Sequence, residues 1–235
     1  MNDFHGYSYL AEKVHQDPFG FARSFALFYP METKKIIFDF GNVLIRIDEE
    51  RTRQAFKELG ADPSLEEQTE LFQELDKGRL TTDAFLEELR PYFPSFVLRR
   101  SLLEAWNALL LDIPKSSLDL LSSLARKTEL LLLSNTSRPH IRRIAEEAGP
   151  YTWNRFQKSF THLYYSFDLG CRKPEKKIYE KVMKAQGWSS GSCILVDDRM
   201  ENLEMAEKMG WTAVHFALDK GGDHKLLERE LIGLL

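Results

Sequence analysis

Short apolar segments alternate with amphipathic segments along most of the chain after residue 34. The segments at 35–40, 128–136 and 192–198 are apolar almost throughout and end in polar residues. Strands of this kind are typical of a parallel sheet that is covered on both faces. Because helical patterns separate them, the sequence predicts an α/β fold in which a parallel sheet carries helices on both sides.

Weaker apolar segments complete this pattern. Residues 162–166 and 211–216 are predicted as further strands, and residues 225–235 as a last helix. A helix over residues 173–187 is expected to begin at Pro174, because proline is favoured in the first helical turn.

The pattern is purely helical between the first strand and the rest of the sheet. Residues 49–111 predict about four helices and no strand, so they form a helical insert above one end of the sheet. We therefore expect an α/β core from residues 34–48 and 112–235. Hinges near 46–49 and 111–115 would let the helical insert close over a bound molecule.

The segment before the core, residues 1–33, is predicted to be an N-terminal extension. Residues 1–30 are rich in Phe and Tyr and are either an extension outside the domain or an ordered arm that covers apolar surface. They do not resemble a signal peptide, because a basic start is missing and Arg23 interrupts the best apolar run. No run reaches the roughly 18 apolar residues of a membrane span.

Composition narrows the classes of partner. The net charge is −4, from 32 basic and 36 acidic residues, which argues against a nucleic-acid partner. Two cysteines, Cys171 and Cys193, cannot build a disulfide framework, and Cys193 lies in an apolar run. We expect a cytoplasmic protein without a membrane partner, and the sequence leaves the oligomeric state open.

Candidate chemistry lies at the ends of three predicted strands. Asp39 follows the first strand, Ser134 and Asn135 end the second, and Asp197 and Asp198 end another. Parallel strands bring their carboxyl ends to one edge of a sheet, where ligands bind. Crowded carboxylates repel each other and attract a cation, and oxygen ligands without His or Cys favour Mg²⁺. Taken singly, Asp39 could be a turn residue and one of the paired aspartates a helix cap.

Lys173 adds a positive charge to this set. It precedes the helix expected at Pro174, and a lysine beside a helix N-terminus suits an anion. Backbone N–H groups near Ser134 and Asn135 could hold an oxyanion. Together with a metal, these groups describe a phosphate pocket in which a carboxylate can act as nucleophile.

Four segments carry a resemblance to a known family. FDFGNVLI, LLLSNT, RKPEKKIY and LVDDRMEN resemble, in this order, the four motifs of the haloacid dehalogenase (HAD) superfamily. The resemblance covers residues 34–235, and the helical insert lies where a C1-type cap lies in that superfamily. Within it, the chain is most similar to the alpha-D-glucose-1-phosphate phosphatase branch, which does not fix the substrate.

The resemblance implies a Mg²⁺-dependent phosphatase with a Rossmann-like core, acting on a small phosphorylated metabolite, expected to be a sugar phosphate. Asp39 would be the nucleophile and a metal ligand, with the Gly41 carbonyl and Asp198 as further ligands. Lys173 would neutralise charge in the transition state. The remaining implied site residues orient the metal site (Asp197, Asn202) or hold the phosphoryl oxygens (Ser134, Asn135).

One position departs from the family pattern. Most phosphatases of the family carry an acid–base Asp two residues after the nucleophile, and this chain has Gly41 there. This departure leaves three alternatives. The enzyme is a slower phosphatase, or the leaving group of its substrate departs easily, as that of an anomeric phosphate does. In the third, another residue supplies the acid. Two other functions stay open: a metal-free 2-haloacid dehalogenase, and a non-catalytic protein that kept the fold.

Overall fold

A computed structural model describes residues 34–235, so the predictions for residues 1–33 lie outside the described residues. The sheet has five strands: β1 (Lys35–Phe38), β2 (Leu130–Ser134), β3 (His162–Tyr165), β4 (Cys193–Asp197) and β5 (Thr212–His215). The described helices are α1 (Glu49–Glu58), α2 (Thr69–Asp76), α3 (Thr82–Leu89), α4 (Arg99–Asn107), α5 (Lys115–Leu124), α6 (Arg138–Gln157), α7 (Ser166–Leu169), α8 (Lys176–Gln186), α9 (Met200–Lys208) and α10 (His224–Leu234). None of them is long and apolar enough to cross a membrane.

All strand pairs of the sheet are parallel, and the strand order is β3-β2-β1-β4-β5. The first strand in sequence is therefore the central one, where Ile36 aligns with Leu130 on one side and Ile194 on the other. This arrangement confirms the predicted α/β class. It also puts Asp39 at the middle of the carboxyl edge.

Both faces of β1 are buried, which explains its continuous apolar sequence. Ile36 and Phe38 belong to an apolar cluster on one face, whereas Ile37 belongs to a second cluster on the other. All three side chains have no solvent exposure. Cys193 lies in the second cluster, as its apolar neighbours predicted.

The helical insert contains α1 to α4 and has an apolar cluster of its own, which includes Phe85, Leu89, Leu102 and Trp106. The chain segments that enter and leave it run side by side. Ile47 forms an antiparallel bridge with Leu110. The division into core and insert domains, and the hinges at these segments, stay predictions.

Three elements differ from the sequence-based expectations. α8 begins at Lys176, with Glu175 as its N-cap, so the prediction that Pro174 starts it is wrong. The reason is a turn in which the Glu175 N–H donates to the Arg172 carbonyl at 2.8 Å. The insert, for which about four helices were expected, also contains a 3₁₀ segment at Pro63–Glu67 before α2, and the short helix α7 was not expected.

Candidate active site at the carboxyl edge of the sheet

Three carboxylates meet where two adjacent strands end. Asp39 follows β1, Asp197 is the last residue of β4, and Asp198 comes next. One oxygen of each lies within 4.8 Å of the others. The Asp39 N–H donates to the Val196 carbonyl at 2.9 Å, so the ladder between β1 and β4 holds the acids together.

Lys173 lies between two of these acids. Its Nζ is 2.7 Å from Oδ1 of Asp39 and 2.6 Å from Oδ2 of Asp197. The lysine side chain is 1% exposed, although several basic residues lie near it in the sequence. The expected position beside a helix N-terminus is also wrong, because α8 begins three residues later.

The amide group of Asn135 fixes the backbone of Lys173. Its Nδ2 donates to the Lys173 carbonyl and its Oδ1 accepts from the Lys173 N–H, both at 2.8 Å. Ser134 is buried at the end of β2 with 2% exposure, and Thr136 follows with its N–H bound to the Ser166 hydroxyl at 3.0 Å. The second strand end thus supports the lysine as well as bordering the site.

The paired aspartates have different surroundings. Oδ1 of Asp197 accepts from the Arg199 N–H at 3.0 Å and from Nδ2 of Asn202 at 2.8 Å, so this fully buried acid fixes the turn before α9. Asp198 is half-buried and faces a cavity. Oδ1 of Asn202 is buried without a hydrogen-bond partner among the described residues.

Burial and like charges dominate the electrostatics of the site. Burial raises the pKa of Asp39 to about 7, against the attraction of Lys173. Burial, followed by the charge of Asp197, also raises the pKa of Asp198. Burial opposes the charged form of Lys173, yet the charges of Asp197 and Asp39 raise its pKa overall.

The donor set fits a divalent cation. Three carboxylates and one ammonium group leave an excess of two negative charges when all are ionised. A hard cation of charge +2 would balance this excess, and carboxylate oxygens are the ligands that Mg²⁺ and Ca²⁺ prefer. The unpartnered oxygen of Asn202 is one more acceptor beside them.

A cavity of 980 Å³ opens above these acids, between the sheet edge and the helical insert. Asp39, Gly41, Lys173 and Asp198 line its floor. Residues of α1, α2 and α4 line the opposite side. A pocket of this size can hold the body of a small substrate as well as its reacting group.

Trp106 joins the helical insert to the sheet side of the cavity. Its Nε1 donates to the Ser137 hydroxyl at 3.3 Å, and its carbonyl is 3.1 Å from Nε2 of His140. The two rings stack with centroids 4.6 Å apart. Burial lowers the pKa of His140 to about 4, so the ring is neutral and donates this hydrogen bond at neutral pH.

Sequence reasoning missed several charged groups that line the cavity, among them Asp76, Arg172 and Arg199. Arg172 precedes Lys173 in the sequence, and its Nε is buried without a hydrogen-bond partner among the described residues. Asp76 lies at the end of α2, where the sequence pattern indicated only a helix end. Its place above the sheet depends on how the helical insert folds over.

A sequence profile of haloacid dehalogenase-like hydrolases matches residues 33–210. The chain is 29% identical to a D-ribitol-5-phosphate phosphatase of Bacteroides thetaiotaomicron, covering 81% of this chain and 94% of that protein. It is 26% identical to a sesquiterpene phosphatase of Aspergillus oryzae, covering 77% of this chain and 89% of that protein.

One solved structure is similar over most of its length. It is a HAD family enzyme of Bacteroides thetaiotaomicron in complex with magnesium and inorganic phosphate. The TM-score is 0.72 at 31% identity, covering 78% of this chain and 93% of that chain. The family and the fold expected from the sequence motifs are thereby confirmed.

Proposed function

The chain belongs to the haloacid dehalogenase-like hydrolase family, and we propose that it is a Mg²⁺-dependent phosphatase acting on a small sugar or polyol phosphate. Hydrolysis proceeds through a phosphorylated Asp39. The observation that carries this proposal is Lys173, buried between Asp39 and Asp197 on the floor of the cavity. A buried ammonium group that holds a strand-end carboxylate is suited to a phosphoryl group, because both the carboxylate and the phosphate need neutralisation.

Mg²⁺ would be held by Asp39, Asp198 and the Gly41 carbonyl, with Asp197 and Asn202 orienting the site. Asp39, Gly41, Asp198 and Asn202 all line the cavity. When bound, the metal supplies positive charge that polarises the phosphoryl oxygens and offsets the crowded carboxylates. The magnesium complex of the similar Bacteroides enzyme supports this choice of metal.

Asp39 attacks the phosphorus atom in the first step. Lys173 binds its Oδ1, and no hydrogen bond to Oδ2 forms among residues 34–235, so that oxygen is available for attack. The bond from Asp39 to phosphorus forms while the ester bond breaks. Water then releases inorganic phosphate and restores the carboxylate. The backbone around Ser134 and Asn135 holds the phosphoryl oxygens, and Lys173 balances the charge that they develop.

The lining of the cavity and the relatives both support this substrate class. Gln54, Thr69 and Gln73 offer hydrogen-bonding groups suited to hydroxyls. D-ribitol 5-phosphate, from the name of one relative, is a compound of this kind. Phe56 and Phe72 form an apolar part of the cavity wall. An apolar wall suits a sesquiterpene phosphate, which is therefore the alternative substrate class.

A phosphate-release screen tests the proposal. The purified chain is assayed with Mg²⁺ against sugar phosphates, polyol phosphates and farnesyl phosphate, with Asp39→Asn as the blank. We expect release from a sugar or polyol phosphate that the blank and a chelator both abolish. Release of halide from 2-chloropropionate in the presence of EDTA would instead identify a dehalogenase. If neither wild type nor Asp39→Asn releases phosphate or halide, the protein is non-catalytic.

A further inference from the structure

The position that normally carries the acid–base group of this reaction cannot supply one here. Gly41 has no side chain, and a Cβ atom at this position would lie 2.8 Å from Cδ1 of Ile47. The space beside the nucleophile is therefore filled by an apolar side chain. If the chain is the phosphatase proposed above, another group must protonate the leaving oxygen.

Five carboxylates of the helical insert line the cavity: Glu49, Glu50, Asp62, Glu66 and Asp76. Glu49 and Glu50 are engaged in ion pairs with arginines, and Asp62 accepts hydrogen bonds as the cap of a 3₁₀ segment. Glu66 is exposed. Asp76 is half-buried, and its carboxylate has no hydrogen bond or ion pair among residues 34–235.

Asp76 lines the same cavity as Asp39 and Lys173. The charges that act on its carboxylate belong to Arg172, Arg199 and Glu49, which line the same cavity. On its own helix, Lys77 is directed to Glu74 and Glu175 instead.

The end of α2 is fixed against the sheet, so this position is defined. The Ser166 hydroxyl donates to the Asp76 carbonyl at 2.6 Å and accepts from the Thr136 N–H at 3.0 Å. Two residues later, Gly78 packs directly on the Phe167 carbonyl. These contacts fix the backbone from which the Asp76 side chain projects, and a fixed backbone favours the preorganisation that proton transfer requires.

We propose that Asp76 is the general acid–base group of the reaction, supplied by the helical insert in place of position 41. As the ester bond to phosphorus breaks, the carboxyl proton of Asp76 passes to the leaving oxygen and yields an alcohol. The Asp76 carboxylate then takes a proton from the water that attacks the phosphorus of phosphorylated Asp39. Inorganic phosphate leaves, and both aspartates return to their starting forms.

The ionisation of Asp76 suits this role. Burial raises its pKa to about 6, and the positive charges of Arg172 and Arg199 keep it from rising further. A general acid–base group works best when its pKa lies near the working pH, because both forms are then populated.

A comparison of two aryl phosphate substrates tests whether Asp76 acts as an acid or only supports the structure. p-Nitrophenolate leaves without a proton, whereas the leaving group of phenyl phosphate is a far stronger base. In rapid-mixing experiments with Mg²⁺, Asp76→Asn is expected to slow the first release from phenyl phosphate by about 10²–10⁴-fold. The p-nitrophenol burst should change less than about 10-fold, and slow turnover should follow because phosphorylated Asp39 persists. Asp76→Glu should recover part of the loss.

Glu70→Gln is the matched control, since Glu70 lies on the same helix, is exposed and does not line the cavity. The wild-type protein provides a second measurement that needs no variant. Its release rate from phenyl phosphate, relative to p-nitrophenyl phosphate, should fall as the pH rises above about 6, where Asp76 loses its proton.

Equal slowing of both bursts, or no slowing, would overturn the role of Asp76, as would a ratio of the two wild-type rates that is independent of pH. Failure of the phosphatase proposal is distinct: neither aryl phosphate would then release phosphate, and Asp39→Asn would match wild type.

Discussion

Lys173 and Asp39 are 134 positions apart in the sequence, and their Nζ and Oδ1 atoms lie 2.7 Å apart in the interior. Asp197 completes the arrangement on the other side of the lysine, at 2.6 Å. Removing one member of such a group leaves the others buried without compensation, so the cost is far larger than for a surface pair.

Lys173→Met should therefore destabilise the metal-free protein. We expect the free energy of unfolding, measured with urea in EDTA, to fall by about 3–5 kcal/mol, because two buried carboxylates lose their cation. Lys176→Met, which breaks an exposed pair with Glu180, should have little effect. Adding Asp39→Asn to Lys173→Met should restore part of the stability. If Lys173→Met and Lys176→Met lower the free energy of unfolding equally, the buried ion pairs of Lys173 do not stabilise the protein more than a surface pair does.

Mg²⁺ should stabilise the protein through its strand-end carboxylates. Because a cation that binds only the folded state adds about 2.7 kcal/mol at one hundred times its Kd, the melting temperature should rise with Mg²⁺ and fall with EDTA. Asp198→Asn should flatten this response. Asp168→Asn, at an exposed pair with Arg138, should keep it. A wild-type melting temperature that is independent of Mg²⁺ would contradict the metal site.

His140 should contribute to acid destabilisation. Burial lowers its pKa from 6.5 to about 4. Between these two pH values the histidine is protonated in the unfolded state and neutral in the folded state. Stability contributed by the neutral ring is complete above pH 6.5 and is lost as the pH falls toward 4. At pH 5 the loss is about 2 kcal/mol relative to pH 7.

His140→Gln should remove this part of the pH dependence, since glutamine donates to the Trp106 carbonyl without titrating in this range. Urea unfolding at pH 7 and pH 5 measures it. His162→Gln, at an exposed histidine of β3, is the control and should lose as much stability between the two pH values as wild type. An unchanged pH dependence in His140→Gln would refute this assignment.

Gly78→Ala should disturb the contact between the helical insert and the sheet. Gly78 has φ +66°, and a Cβ atom there would lie 2.1 Å from the Phe167 carbonyl oxygen. Gly187 has the same φ but nothing within 4 Å, so Gly187→Ala isolates the backbone strain of about 1–2 kcal/mol. We expect Gly78→Ala to cost clearly more in thermal unfolding and to raise KM for the screened substrate. If both variants lose the same stability, the contact between Gly78 and the Phe167 carbonyl can shift without an energetic cost.

The pattern of the chain was sufficient for the sheet and for most of the acidic site. Segments around Phe38, Leu132 and Val196 are apolar throughout, because a strand covered on both faces has no polar side. Once these strands are parallel, their ends share an edge, so the sequence predicts that Asp39, Asp197 and Asp198 lie at the same edge; the pairing of β1 with β4 then brings them together.

Contacts made by turns and by the helical insert were beyond that pattern. The burial of Lys173 depends on a turn at Arg172–Glu175 and on the amide of Asn135. Neither contact produces a periodic pattern of apolar and polar residues that could be recognised in the sequence. The position of Asp76 depends on the Ser166 hydroxyl, ninety positions away. The sequence by itself determined which acids lie at the strand ends, because a continuous apolar run and the polar residues that end it are local features of the chain. Only the tertiary structure decided which cation lies among them and which residues of the helical insert line the cavity above them, because these depend on how distant segments pack.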